Sequence, residues 1–178
     1  SCEFPFIVEG EGYIVVGDLV KFKKGANIGC GKNATLKFFD ECKIGHATFI
    51  RVGGTSVVTF GRKSVLEDFI KIYANSHWEV GEETVIASGC AIFAREPGQD
   101  GEFKTGTGTH IGNNTIIDIS DSVLIGKNVA IGPNCTIYTH DHDYKQNREI
   151  PWKGSPIRKP VTVEDGAWIG SGVIILPG

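Results

Sequence analysis

The chain has 178 residues, of which 40% are hydrophobic and 22% charged, and its formal net charge is −3. This length and composition are typical of a single globular domain, 1–178, with a sizeable core. The charge gives no basic excess that would favour a nucleic-acid partner, and no apolar run approaches the roughly 18 residues of a membrane span.

The N-terminal segment 1–11 and the cysteines predict a cytoplasmic protein. The segment is acidic and lacks the basic start of a signal peptide. Five cysteines are scattered along the chain without a C-x-x-C pair. We therefore expect small buried thiols in a reduced compartment, and no structural zinc site.

Large apolar residues recur every six positions along most of the chain. The series comprises Val16, Phe22 and Ile28; Ile44 and Ile50; Phe60, Leu66 and Ile72; Val80, Ile86 and Ile92; Ile111 and Ile117; Ile125, Ile131 and Ile137; and Val163, Ile169 and Ile175. A period of six fits neither a helix nor one long strand, but it fits short strands joined by corners. The frequent groups of three predict a solenoid with three sides, whose stacked coils bury a continuous apolar column. An ordinary β-sandwich does not explain so strict a recurrence.

Asparagines between the apolar positions predict the corners of this solenoid. They occur in the pairs Asn113-Asn114, Lys127-Asn128 and Pro133-Asn134, which lie between the apolar positions of the repeat. Asparagine and glycine tolerate positive φ better than other residues. We expect these asparagines at tight bends between strands.

The repeat is interrupted twice, at about 95–108 and at about 139–160. Both stretches are polar, and the second leaves a regular repeat at Ile137 and re-enters one at Val161. Because the regular coils only bury their apolar column, we expect function where the pattern fails.

The second interruption begins with two histidines, His140 and His142, beside Asp141 and Asp143. An imidazole titrates near neutrality and can accept the proton of an attacking hydroxyl, while a carboxylate can orient the ring. The same histidines could instead bind a metal with a distant third ligand such as His110. The residues alone leave both options open.

The segment from Ile125 to Gly178 resembles the hexapeptide-repeat acyltransferases, especially the galactoside, maltose and capsular-polysaccharide O-acetyltransferases. The resemblance lies in the run IGKNVAIGPNCTIYTHDHDY, a loop with Pro and Trp, and the run PVTVEDGAWIGSGVIILPG. It implies an all-β, left-handed parallel β-helix with a protruding loop. It also implies an acetyl-CoA-dependent O-acetyltransferase that acts on a saccharide hydroxyl, needs no metal and works as a homotrimer.

The resemblance assigns roles to particular residues. His142 corresponds to the general base, with His140 as a neighbour or the alternative base. Trp168, Gly170 and Ser171 correspond to the acetyl-CoA site, where the backbone N–H of Ser171 would bind the thioester oxygen. The substrate-binding residues would be Asn114, Asp118, Asp141 and Trp152.

Three other functions remain open from the sequence. They are N-acetyl transfer to an amino sugar or nucleotide sugar, a zinc-dependent hydratase resembling a carbonic anhydrase on the same fold, and a scaffold without catalysis. Family members usually continue past the position of Gly178, so the resemblance further implies either that C-terminal coils and a cap are missing here or that CoA binding is impaired.

Overall fold

The computed structural model describes residues 1–96, 100–146 and 148–178. Over these ranges the chain winds into a left-handed parallel β-helix with three sheets as its faces. Successive strands pass from the first sheet to the second and then to the third, and each pairs in parallel with the strand one coil away. The predicted fold is confirmed.

The strands are short, and almost all of them belong to the three sheets. The first sheet contains β1 (Ile7–Gly10), β4 (Asn27–Cys30), β7 (Phe49–Val52), β10 (Lys71–Ala74), β13 (Ala91–Phe93), β16 (Ile116–Asp118), β19 (Thr136–Ile137) and β24 (Ile174–Ile175). The second contains β2 (Tyr13–Val16), β5 (Thr35–Phe38), β8 (Val57–Phe60), β11 (Trp78–Val80), β14 (Phe103–Thr105), β17 (Val123–Ile125) and β22 (Val161–Val163). The third contains β3 (Lys21–Phe22), β6 (Lys43–Ile44), β9 (Val65–Leu66), β12 (Val85–Ile86), β15 (His110–Ile111), β18 (Ala130–Ile131) and β23 (Trp168–Ile169).

The N-terminal coils are longer than a strict six-residue repeat predicts. Paired core residues of adjacent coils, such as Ile28 and Ile50, are 22 positions apart. The extra length arises because four-residue strands of the first and second sheets each turn two side chains inward, as Leu36 and Phe38 do in β5. Later in the chain, Ile117 and Ile137 are paired at a distance of 20 positions.

The core is an apolar column with an aromatic stack at its N-terminal end. The rings of Phe6, Phe22, Phe38 and Phe60 follow one another with centroid separations of 4.7, 5.4 and 5.3 Å. Small hydroxyl residues fill the tight positions near the corners, where Thr109 Oγ1 donates to the carbonyl of Gly126 at 2.7 Å. These hydroxyls are therefore buried at the corners with hydrogen-bond partners.

The corners carry the positive φ angles that the asparagines predicted. Asn114, Asn128 and Asn134 have φ of 57°, 53° and 58°. Asn128 lies between the second and third sheets, and the other two lie between the third and first. The corner prediction is confirmed.

Both interruptions of the repeat lie at the corner between the first and second sheets. The first separates β13 from β14, and residues 97–99 of the predicted stretch 95–108 lie outside the described residues. Its predicted end is wrong, because Phe103–Thr105 form β14. Phe103 and Thr105 point into the core, where Thr105 Oγ1 accepts a hydrogen bond from the N–H of Gly81 at 3.0 Å. Because a polar residue occupies this inward position, the apolar pattern of the sequence does not indicate the strand.

The second interruption, 139–160, forms a hairpin between β19 and β22. Its strands β20 (His140–His142) and β21 (Pro156–Arg158) pair antiparallel, and a 3-10 helix spans Pro151–Lys153 between them. Residue 147 lies outside the described residues. Within the described ranges, no helix is long and apolar enough to span a membrane.

Candidate active site

Three consecutive coils contribute side chains to one corner of the β-helix. Glu96 comes from the first interruption, Asp118 ends β16 in the next coil, and His140 and His142 lie on β20 in the coil after that. All three segments lie at the C-terminal ends of neighbouring strands of the first sheet, so stacking of the coils brings them together. The fold thereby assembles a cluster from residues far apart in the sequence.

His140 is anchored to Asp118. Its Nδ1 lies 2.6 Å from Oδ2 of Asp118, and its side chain is only 10% exposed. A carboxylate accepts hydrogen bonds, so the pairing assigns the proton to Nδ1 and leaves Nε2 as the lone-pair nitrogen of the neutral ring. The ring is held in one orientation and one tautomer.

Asp118 is fully buried, yet its charge is well compensated. Oδ1 accepts from the Ser120 hydroxyl at 2.6 Å and from the Arg95 N–H at 3.0 Å, while Oδ2 accepts from the N–H and hydroxyl of Thr139, both at 3.1 Å. Burial by itself would raise the pKa of Asp118, but the hydrogen bonds from Ser120, His140 and the backbone outweigh it and lower the pKa to about 2. The carboxylate is ionised at neutral pH.

These contacts alter the role that the resemblance implies for Asp118. The side chain has an exposure of 0%, and both of its carboxylate oxygens accept hydrogen bonds from the chain itself. This arrangement favours a residue that positions His140 over one that contacts a substrate directly.

His142 is the more open of the two histidines. Its side chain is 27% exposed, and its Nδ1 lies 3.0 Å from the carbonyl oxygen of Gly154 across the hairpin. A carbonyl only accepts, so Nδ1 carries the proton and Nε2 presents a lone pair. The backbone N–H of His142 also donates to Asp141 Oδ1 at 2.7 Å, which ties the exposed Asp141 side chain to the turn of the strand.

Glu96 was not anticipated from the sequence. Its Oε1 lies 3.4 Å from Nε2 of His142 and 3.7 Å from Nε2 of His140. The rings of the two histidines are nearly perpendicular, with centroids 5.6 Å apart. The signal that could have identified Glu96 is that both interruptions follow a first-sheet position, which places them at one corner.

A cavity of about 280 Å³ opens beside the histidines. Its lining consists of Tyr138, His140, Asp141, His142, Leu176 and Pro177. The cavity gives a small molecule access to the imidazoles, which is the geometry that proton transfer to or from a bound group requires.

Four other predicted site residues lie away from this corner within one chain: Asn114, Trp168, Gly170 and Ser171. Trp168 lies on β23 of the third sheet and is 85% exposed, and Gly170 and Ser171 follow it in the next corner, both exposed. Asn114 occupies a corner at the opposite end of the first-sheet strands, where its Nδ2 is 3.5 Å from Oδ1 of Asn134. Trp152 lies on the hairpin, 69% exposed, with Lys153 Nζ 5.4 Å from its ring centre.

His110 does not join the histidines as a third metal ligand. It lies on β15 in the third sheet, away from the corner of the hairpin. Among the described residues, Glu96 is the third potential ligand at the two histidines.

The chain is similar to several sugar acetyltransferases and related proteins. It is 34% identical over 100 residues to galactoside O-acetyltransferase of Lactococcus lactis, covering 56% of this chain and 45% of that protein. It is 40% identical over 76 residues to nodulation protein L of Rhizobium leguminosarum and 37% identical over 83 residues to galactoside O-acetyltransferase of Escherichia coli; each match covers 43% of this chain and 39% of the relative. The chain thus spans less than half the length of these relatives.

These similarities confirm the resemblance to hexapeptide-repeat acyltransferases that the sequence predicted. No protein-family model matches the chain. A crystal structure of the polySia specific acetyltransferase NeuO covers the whole chain with a TM-score of 0.47 and 16% sequence identity, a likeness that supports no argument about function.

Proposed function

We propose that the protein is an acetyl-CoA-dependent O-acetyltransferase that acts on a saccharide hydroxyl. The proposal depends on the placement of His142: its Nδ1 is held by the Gly154 carbonyl, and its ring borders the cavity. The similarity to galactoside O-acetyltransferases supports the reaction class and the acceptor class. A nucleotide sugar or amino sugar is the neighbouring alternative acceptor, which would make the reaction an N-acetyl transfer.

In the proposed reaction, the acetyl group passes directly from the thioester to the acceptor. Nε2 of His142 takes the proton of the acceptor hydroxyl as its oxygen attacks the thioester carbonyl carbon. The tetrahedral intermediate then expels the thiolate of CoA as the carbon–sulfur bond breaks. The imidazolium returns its proton to the thiolate, so that the products are the acetyl ester and CoA thiol.

Two further groups support this chemistry. The backbone N–H of Ser171 would stabilise the oxyanion of the intermediate, an interaction typically worth about 2.7–4 kcal/mol. The Asp118–His140 pair lies next to the base, since the imidazole centres of His140 and His142 are 5.6 Å apart. Asp118 would hold His140 as one wall of the acceptor site. Asp141 and Trp152 remain the proposed contacts of the acceptor, and Asn114, at the other corner of the first sheet, would reach it from a neighbouring subunit.

We also propose a homotrimer with active sites between subunits. Within one chain the hairpin of His142 and the segment from Trp168 to Ser171 lie on different sides of the β-helix. A neighbouring subunit would bring its Trp168, Gly170 and Ser171 to this hairpin, so that CoA and acceptor meet. The large exposure of Trp168 supports an interface or ligand-binding surface there.

The replacement His142→Ala tests the assignment of the base. We expect CoA thiol release in the presence of acetyl-CoA and a panel of sugars to fall by about 10²–10⁴-fold, because a general base contributes that much. CoA binding and the circular dichroism spectrum should stay unchanged. His110→Ala, which removes an exposed imidazole from the third sheet, is the matched control and should retain full activity. Full activity of His142→Ala together with loss in His140→Ala would move the base to His140.

A further inference from the structure

Three electron-pair donors from two separate loops meet beside the cavity. Glu96 Oε1, His140 Nε2 and His142 Nε2 lie within 4.8 Å of one another, and Oε1 is 3.4 and 3.7 Å from the two nitrogens. A tetrahedral zinc ion, with bonds of roughly 2.0–2.2 Å, holds its ligand atoms about 3.3 Å apart. The donors therefore stand near the spacing of a three-ligand metal site.

The contacts behind the two imidazoles match those of metal-binding histidines. His140 turns its Nδ1 to the Asp118 carboxylate at 2.6 Å, and His142 turns its Nδ1 to the Gly154 carbonyl at 3.0 Å. Ligating histidines almost always donate their other nitrogen to a carboxylate or a backbone carbonyl, which fixes the tautomer and raises the basicity of the ligand. Both rings are thereby set with their Nε2 lone pairs toward the carboxylate of Glu96.

Three acceptors that face one another repel unless a proton or a metal cation lies between them. Two neutral imidazoles and one carboxylate form the His₂Glu donor set that binds zinc in catalytic sites, with one position left for a fourth ligand. The side chains of His140, Glu96 and His142 are 10%, 22% and 27% exposed, so an ion there would be largely shielded from water.

We propose that Glu96, His140 and His142 form a binding site for one divalent ion of the zinc class, and that the ion inhibits acetyl transfer. The inhibition rests on the proposed function, because a metal on Nε2 of His142 occupies the lone pair that accepts the acceptor's proton. The metal is thus a reversible blocker of the base and not a cofactor of the transfer.

Metal binding is tested without reference to activity. The protein, stripped with a chelator, is titrated with Co²⁺ and followed by visible absorption and calorimetry in a Cys2→Ser background, which removes the exposed thiol. We expect one Co²⁺ per chain with the strong visible bands of a tetrahedral site and without a thiolate charge-transfer band. A thiolate band, or no saturable binding, would overturn the site.

Glu96→Gln removes the anionic ligand while keeping the size of the side chain. We expect it to weaken Co²⁺ binding at least about ten-fold, since replacement of even an outer-shell partner typically costs 10–100-fold. Glu102→Gln is the matched control, because Glu102 pairs with Lys104 at 2.7 Å and not with the histidines. Unchanged Co²⁺ affinity in Glu96→Gln, with altered acetyl transfer, would make Glu96 a positioning residue and contradict the metal site.

The inhibitory role is tested by zinc titration of the transfer rate. We expect Zn²⁺ to lower the rate of the unmodified protein, a chelator to restore it, and Glu96→Gln to require at least about ten-fold more Zn²⁺ for half-inhibition relative to its own zinc-free rate. Stoichiometric Zn²⁺ binding without any loss of the transfer rate would support the metal site but overturn its inhibitory role. If the protein transfers no acetyl group, the Co²⁺ titration still decides whether the site exists.

Discussion

Asp118 shows how a single buried carboxylate serves both the fold and the candidate site. It stands outward from β16, but Ser120, Thr139 and His140 cover it and satisfy its oxygens. Removal of one partner from such a network would leave a buried charge uncompensated, which costs far more than the pair contributes. The same carboxylate thereby links stability to pH.

The unfolding free energy should fall in acid because of Asp118. Its pKa is lowered from an ordinary 3.8 to about 2, so the folded state binds this proton less readily than the unfolded state. The resulting stability, about 2 kcal/mol, is present above pH 4–5 and is lost as the pH falls toward 2. Urea unfolding at pH 5 and pH 2.5 measures the change.

Asp118→Asn isolates this contribution from those of the other carboxylates. The variant should be less stable at pH 5 and should lose about 1.5 kcal/mol less than the unmodified protein between the two pH values. Asp18→Asn, at an exposed corner, is the control and should follow the unmodified protein. Equal pH slopes in Asp118→Asn and the unmodified protein would contradict the lowered pKa.

Among the elements, the hairpin β20–β21 positions His142. Gly154 accepts the Nδ1–H of His142, and a Cβ added at Gly154 would fall on the carbonyl oxygen of Asp143, well inside van der Waals contact. A side chain there must shift one strand of the hairpin against the other. Because β20 and β21 form a sheet of their own outside the three sheets of the β-helix, the shift should stay within the hairpin.

Gly154→Ala should therefore reduce acetyl transfer by about 10²-fold with little change in melting temperature, because displacement of a catalytic group by about 1 Å can cost that much. Gly31→Ala is the matched control: its added Cβ would meet Val52 O at an ordinary 3.4 Å, far from the hairpin in the sequence. Steady-state thiol release and thermal unfolding measure the two properties. A large loss of stability in Gly154→Ala would show that the hairpin supports the fold itself.

The corners depend on residues that tolerate positive φ. Asn128→Ala should lower the unfolding free energy by about 1 kcal/mol, since alanine pays the left-handed penalty that asparagine partly avoids, whereas Asn128→Gly should be neutral or slightly stabilising. Thermal unfolding of both variants, with Lys127→Ala at the neighbouring exposed position as control, measures the difference. Equal stability of the Ala and Gly variants would contradict the conformational explanation.

The elements also show what a sequence can and cannot predict. The coils around Ile125, Ile131 and Ile137 were predictable because each side of a coil carries one aliphatic residue at constant spacing. β14 was missed because its inward Thr105 is polar and its Lys104 pairs outside with Glu102. Glu96 was missed because its contact with the histidines follows from the register of whole coils, which places both loops at one corner, and not from the residues next to it in the sequence.

At the scale of the whole molecule, the β-helix is a rigid frame that presents different residues on different sides. The hairpin with His142 projects from the corner of the first and second sheets, while Trp168 lies on the third sheet. A reaction that needs both in one chain would be impossible without large rearrangement of a column of buried residues. The proposed cyclic trimer would solve the problem, because each of its interfaces would join two different sides of the prism.

A mixture of two inactive variants tests this composite site. His142→Ala and Trp168→Ala should each be inactive, and Trp168→Ala should fold normally because its side chain is 85% exposed. Equal amounts of the two variants are unfolded and refolded together. Random assembly of trimers then pairs an intact hairpin with an intact Trp168 at about one quarter of the interfaces. About one quarter of the unmodified activity should therefore return. The two variants refolded separately and then combined are the control and should stay inactive. Absence of recovery in mixed trimers, verified by light scattering and mass spectrometry, would mean that each site is built within one subunit.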